Sequence, residues 1–443
     1  MQADRKGRWG WMFFDWASQP YHTLLITFIF APYFTGFVAV DEVQGQAIWG
    51  YMLATAGLLI ALMAPVLGAI ADASGPRKPW VFGFSILYVI GSASLWYAVP
   101  GMENPIWILL AFGLGLIGLE FATTFNNAML PDLVPEEEVG ALSGSGWALG
   151  YVGGLMVLIF VLLLLNEGDN GMTLLGIPPI FGLDPAMLEG KRSSGPVTAV
   201  WYILFMIPFF LWVPDIKRRN RLAGAVRSGI SELVSTVRSL PDKRSLSSYL
   251  LSSMFYRDAL NGLYSFGGIY GVGVLGWSIT QIGIFGILAN ITGAIGAWIG
   301  GRMDRKLGPK PVIVFSILAL TLVVVIVVAT SRDSFFGVAL ADGSTLPDII
   351  FYICGGIIGA AGGTLQASSR TMMVHQAEPG RMTEGFGLYA LTGKATAFLA
   401  PLAIAVMTDV TGSQRLGVTP IIALFAIGLV LLYWVKPKAK APT

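Results

Sequence analysis

The chain has 443 residues, of which 55% are hydrophobic and only 12% charged, about half the charge a soluble domain carries. So few charges cannot solvate a water-exposed surface of this size. A net charge of +2 supplies no dense basic face for nucleic acid, and one Cys with two His cannot build a zinc or iron–sulfur centre.

A bilayer span takes about 20 mostly apolar residues, so the composition predicts a polytopic membrane protein. Apolar runs bounded by Gly, Pro or charge place twelve spans near 11–39, 47–71, 80–99, 105–130, 140–165, 199–214, 248–273, 279–301, 311–330, 348–374, 383–408 and 419–435. The stretch before the first span is basic and lacks a short apolar run ending in small residues. It reads as a retained cytoplasmic N-terminus. Span 1 carries Trp16, Gln19, Tyr21 and His22 around Pro20. Between spans 2 and 3 lies a loop holding Gly68, Asp72, Gly75, Arg77 and Lys78. Span 4 contains Glu120 and ends on Asn126 and Asn127, followed by the acidic segment Asp132 to Glu138. The longest inner loop, 216–247, separates six spans from six. Its Val226, Ile230, Leu233, Val234, Val237 and Leu240 recur at helical spacing, which predicts an amphipathic helix on the inner leaflet.

In the second half, span 7 contains Arg257 and Asp258, span 8 Asn290, span 10 Gln366 and span 11 Lys394. Gly296/Gly300 and Gly355/Gly359/Gly363 have the spacing that lets membrane helices approach closely. Orientation follows from Lys and Arg. With the N-terminus inside, the opposite side has only Lys191, Arg192, Arg332 and Arg415, and Arg257 and Lys394 lie within spans. Both termini are therefore expected in the cytoplasm.

The two halves repeat. Gly68, Asp72, Gly75, Arg77 and Lys78 after span 2 are echoed by Gly300, Asp304, Arg305, Gly308 and Lys310 after span 8. Gly144-Ser-Gly146 is likewise echoed by Gly385-Phe-Gly387. The expected fold is all-α: twelve transmembrane helices in two parallel six-helix repeats, 1–215 and 248–443, joined by a cytoplasmic linker, 216–247. The repeated loop resembles the signature loop of the major facilitator superfamily. Phe14-Asp15-Trp16-Ala17-Ser18, Asn127 to Pro131, Tyr256 to Asp258, Gln366 to Arg370 and Glu384 to Tyr389 with Gly393-Lys394 resemble the branch of autophagy-related vacuolar amino-acid effluxers and their bacterial relatives. That resemblance implies alternating access, an amino-acid-like substrate, and cavity-lining roles for spans 1, 4, 7 and 10 with span 11 beside them. It also implies that Asp72 and Arg77 hold the cytoplasmic side closed.

Physics alone singles out four charges. At about 1.5 Å rise per residue, Glu120, Arg257, Asp258 and Lys394 all lie about 14–16 Å from the cytoplasmic end of their spans. Ionisable groups near mid-membrane cost at least 2.5–3.5 kcal/mol each, so a shared level marks a site for substrate or protons; fastening of the two halves is the competing reading. Arg257 and Asp258 are neighbours about 100° apart and cannot share a face. Trp16, Gln19, Tyr21, His22, Asn126, Asn127, Asn290 and Gln366 are softer cavity-lining candidates. Gly271-Val-Gly273-Val-Leu-Gly276 ends a membrane helix and follows no strand, so it is no nucleotide site. The expectation is a monomeric, proton-coupled secondary transporter of a small polar or zwitterionic solute in a plasma or bacterial inner membrane. It needs no cofactor or metal and has no enzymatic activity. Transport of lipid or amphipathic drug-like molecules is the alternative, with a channel behind it.

Overall fold

The computed structural model describes residues 3–39, 42–168, 170–215, 222–277 and 279–436. Its long elements are helices: α1 Arg5–Val38, α2 Glu42–Ser74, α3 Lys78–Ser94, α4 Ile106–Leu133, α5 Val139–Leu164, α6 Ser194–Trp212, α7 Leu222–Ser239, α8 Arg244–Leu275, α9 Ile279–Leu307, α10 Pro309–Ala329, α11 Leu346–Gln376, α12 Met382–Thr411 and α13 Pro420–Leu432. A two-residue hairpin, β1 Ser334–Phe335 with β2 Val338–Ala339, is the sheet among the described residues. The basic residues of 216–221 and the tail beyond 436 lie outside them.

Eleven of these segments are long and apolar enough to cross a membrane. Leu58, Leu62, Ile86, Ile90, Ile203, Ile207, Leu318 and Leu322 form part of an exposed apolar surface that only lipid can cover. The protein is an integral, multi-pass membrane protein. The seventh expected span behaves differently. It forms the continuous 32-residue helix α8, but Arg244, Arg257, Asp258 and the serines from Ser245 to Ser253 dilute its hydropathy. Within α1, Pro20 has no N–H to donate, and beyond it the backbone runs wide through Tyr21–Phe28. Further on, α12 is interrupted between Ala395 and Leu399.

Small residues set the packing. A Cβ on Gly118 would lie 2.6 Å from the Phe84 carbonyl oxygen, and one on Gly363 2.5 Å from that of Gly293. Helices α3 and α4, and α9 and α11, therefore touch backbone to backbone. The same device joins helices before the linker to helices after it. Gly68 and Gly387 fix the approach of α2 and α12, each within 2.5 Å (hypothetical Cβ) of a facing carbonyl oxygen, Thr383 and Ala64. Gly144 and Gly301 do so between α5 and α9. These contacts gather at the face that holds both described chain ends, where Ala3 N donates to Leu133 O and Lys436 N to Ser245 Oγ. That terminal face is closed.

The two loop copies are built alike. Gly75 (φ 104°) and Gly308 (φ 81°) turn through the left-handed region that a side chain resists. Lys78 Nζ then donates to the Phe210 and Val213 carbonyls at the end of α6. In the second copy, Lys310 Nζ donates to the Tyr433 and Val435 carbonyls at the end of α13. One lysine per copy thus caps a helix terminus whose carbonyls lack intrahelical partners.

Candidate functional site

Two layers of charge connect the helices before the linker to those after it. The outer layer lies at the terminal face. Asp72, at the end of α2, accepts from Thr383 Oγ1 (2.6 Å), from the Glu384 backbone N–H (2.8 Å) and from Arg77 Nη2 (3.2 Å). Arg77 in turn donates to Thr383 Oγ1 (2.8 Å) and Asp132 (2.5 Å). Asp72 and Arg77 are only 5% exposed, so every polar atom there needs a partner, and Thr383 and Glu384 of α12 supply them. The acidic segment joins in: Asp132 meets Arg77, and Glu138 meets Arg8 at 2.6 Å. In the second copy Asp304 is equally buried, takes a hydrogen bond from Ser368 (2.7 Å), and has no ion pair among the described residues. Arg305 is exposed.

A second terminal-face cluster contains residues the sequence did not single out as a site. Arg370 of α11, 4% exposed, donates to Asp15 Oδ2 of α1 from both terminal nitrogens (3.1 and 3.0 Å). It also reaches Asn127 Oδ1 (3.0 Å), Ser143 Oγ (2.9 Å) and Ser143 O (2.7 Å). Trp11 and Trp147 lie over its guanidinium at 4.8 and 5.6 Å. One guanidinium from α11 is thereby held by α1, α4 and α5. The signal was present: an arginine set among Ala367-Ser368-Ser369 and Met372-Met373-Val374 sits inside a helix, not in a loop, and a buried cation requires a partner.

The inner layer is smaller. Lys394 Nζ of α12 donates to Glu120 Oε1 of α4 at 2.7 Å. Lys394 is eleven residues beyond Thr383, about 16 Å along α12 from the closed face. The side chains are 30% and 19% exposed, so the pair borders open space instead of packed protein. His22, itself exposed, and Arg257 both lie within electrostatic range of Glu120. Arg257 crosses from α8 to α12, where Nη1 donates to the Tyr389 carbonyl (2.9 Å) and the guanidinium lies 4.0 Å from the Tyr389 ring centre. The absence of a side chain at Gly393 admits it, since a Cβ there would sit 2.6 Å from Nη1.

Asp258 is not part of that group. It is 2% exposed, and Oδ2 accepts the Ala400 backbone N–H at 2.8 Å. Pro401 has no N–H and crowds the carbonyl four residues back, which opens α12 at Thr396–Phe398. Asp258 caps the helix that restarts at Leu399, meeting a free N–H and the positive end of the dipole.

The softer candidates divide. Gln366 donates to Tyr151 OH (3.3 Å) between α11 and α5, and Asn127 holds Arg370. Gln19 is half-buried under Gly154 of α5. Trp16 stacks on Trp201 with ring centres 5.7 Å apart, and Asn290 donates within its own helix to Gly286 O. Tyr21 and Asn126 are fully buried; Tyr21 OH donates to Phe112 O, and the Asn126 backbone carbonyl accepts from Trp11 Nε1. No metal-ligand cluster occurs among the described residues.

Residues 33–442 match the family described as "Vacuole effluxer Atg22 like". The chain belongs to that family. It is 26% identical over 430 residues to the uncharacterized MFS-type transporter YxiO of Bacillus subtilis, covering 96% of this chain and 94% of YxiO. Its fold is similar to the human organic anion transporter MFSD10 (TM-score 0.69, 14% identity, 97% and 99% of the two chains covered). It is similar also to FucP of E. coli in the outward conformation (TM-score 0.68, 14% identity, 98% and 99% covered). It is a transporter of the major facilitator superfamily.

Proposed function

We propose that this transporter moves a small zwitterionic, amino-acid-like solute and couples that movement to protons. The observation that carries the reading is the Lys394–Glu120 ion pair, which bridges α4 and α12 beside open space with Arg257 and His22 nearby. A zwitterion can replace both partners at once: its carboxylate takes Lys394 and Arg257, and its ammonium takes Glu120. The exchange keeps every charge paired, so the solute meets little desolvation penalty. A proton on Glu120 releases Lys394 in the same way, which supplies a route for coupling. Asp258 is the second proton candidate, since it is buried without a basic partner among the described residues.

In this reading twelve helices form bundles over 1–215 and 248–443, joined by 216–247, with both termini cytoplasmic in a plasma or bacterial inner membrane. The structure is then the outward-facing state of a monomer, and rocking of the bundles separates α2 from α12 and α5 from α9. Counterflow into proteoliposomes with a panel of radiolabelled amino acids and small peptides tests the substrate. Saturable exchange of at least one zwitterion, absent for its amide or its N-acetyl derivative, supports the proposal. Exchange of amphipathic cations or lipids alone refutes it.

A further inference from the structure

The linker helix α7 is not a passive connection. Taking about 100° per residue, Val226, Val237, Ile230 and Val234 fall within about 80° of one another. Arg227, Arg238, Ser231 and Ser235 fill the next 80° or so. Both groups are exposed, and the four apolar side chains are 39, 48, 43 and 43% accessible in that order. The remaining side packs on protein. A Cβ on Gly229 would lie 2.8 Å from the Ala69 carbonyl of α2. Thr236, 5% exposed, accepts from Arg381 Nη1 at 2.8 Å, and Glu232 lies 3.8 Å from Arg381 Nε. Just past the helix, Lys243 pairs with Glu378 at 2.7 Å.

This geometry places α7 across the closed face. It touches α2 on one side and the start of α12 on the other, two residues from the Thr383 that holds Asp72 and Arg77. A helix exposed only to water has no use for a separate apolar quarter beside a cationic one. A helix at a bilayer interface needs both, since acyl chains cover Val and Ile while headgroup phosphates meet the arginines.

We infer that α7 is a lipid-anchored strap: anionic inner-leaflet lipid binds Arg227 and Arg238, seats the valine–isoleucine stripe in the bilayer, and favours the closed terminal face. Lipid composition is then an input to the conformational equilibrium, independent of which solute is carried.

The test uses the full-length protein, one copy per nanodisc, in phosphatidylcholine alone or with 30 mol % phosphatidylglycerol. Hydrogen exchange of the α7 amides and the spin-label distance between Glu137→Cys and Lys306→Cys, in a Cys354→Ser background, are both read. With phosphatidylglycerol, α7 exchange slows about tenfold and the short-distance population grows, as expected for two cations near an anionic surface. Arg227→Gln/Arg238→Gln abolishes that lipid dependence while leaving exchange in phosphatidylcholine unchanged. Val226→Ser/Ile230→Ser/Val234→Ser/Val237→Ser speeds exchange in both lipids. Identical behaviour of the wild type in the two lipids, or an unaltered lipid response in the arginine variant, overturns the inference. Neither result bears on zwitterion binding, which counterflow reads separately.

Discussion

The two charge layers between the helix groups use the same chemistry with opposite emphasis. At the terminal face, Arg77 and Arg370 are almost fully buried, and each is held by several hydrogen bonds from more than one helix. At mid-height, Lys394 and Glu120 share one hydrogen bond and remain partly exposed. A multiply satisfied buried charge fixes a conformation, because opening it leaves ions desolvated and unpaired. A singly bonded pair beside open space can exchange partners at small cost. On the proposed reading, the first layer acts as a latch and the second as a site.

Breaking the latch gives the largest expected effect. Arg370→Met strands Asp15 and removes the tie between α11 and α1, a loss of about 3–5 kcal/mol of closure. Spin labels across the terminal face should report a majority of the long distance; an unchanged distribution would show that the cluster is incidental to gating. Disturbing the site comes next. Lys394→Ala deprives a bound carboxylate of its cation, worth about 2–5 kcal/mol for a buried hydrogen-bonded charge pair. Counterflow should fall at least about thirtyfold, while detergent-solubilised protein keeps its elution volume.

The two loop copies sharpen the contrast within the latch. Asp72→Asn removes one of the two carboxylates that Arg77 faces, at a cost of about 1–3 kcal/mol, and should shift the face toward open. Asp304→Asn, with no ion pair to lose among the described residues, should shift it measurably less under the same labels. Equal shifts would mean that the ion pair adds nothing to closure. The smallest effect belongs to the exposed pair beside the strap. The Lys243 hydrogen bond holds the Glu378 carboxyl below its ordinary range. Its stabilisation is therefore present above the unfolded carboxyl's range and is lost as pH falls through the lowered value. Solvent screening keeps this to less than about 1 kcal/mol, so Glu378→Gln should barely move the thermal midpoint at neutral pH.

Much of this was legible in the sequence because membrane spans announce themselves through uninterrupted apolar runs. Charges within such runs are few enough to be compared by depth, and depth brought Glu120 and Lys394 to one level before any contact was seen. The 100° step predicts different faces for Arg257 and Asp258, yet both meet α12, one at the Tyr389 carbonyl and the other at the Ala400 N–H. The capping role was hidden because it depends on the break that Pro401 makes in another helix. Arg370 falls four residues from the end of the expected span 348–374, a depth at which a long side chain can reach water, so depth alone gives it no special weight. Its partners lie on three other helices, and the distance in sequence between Asp15 and Arg370 leaves no local pattern to read.

In the proposed mechanism Glu120 links proton binding to solute exchange through Lys394. The direct test compares wild type and Glu120→Gln in proteoliposomes, with uptake of the counterflow substrate driven by an imposed pH gradient and exchange measured at equal pH. Loss of gradient-driven accumulation with exchange partly retained is the predicted result. Accumulation by Glu120→Gln equal to that of the wild type would contradict it and return the pair to a fastening role.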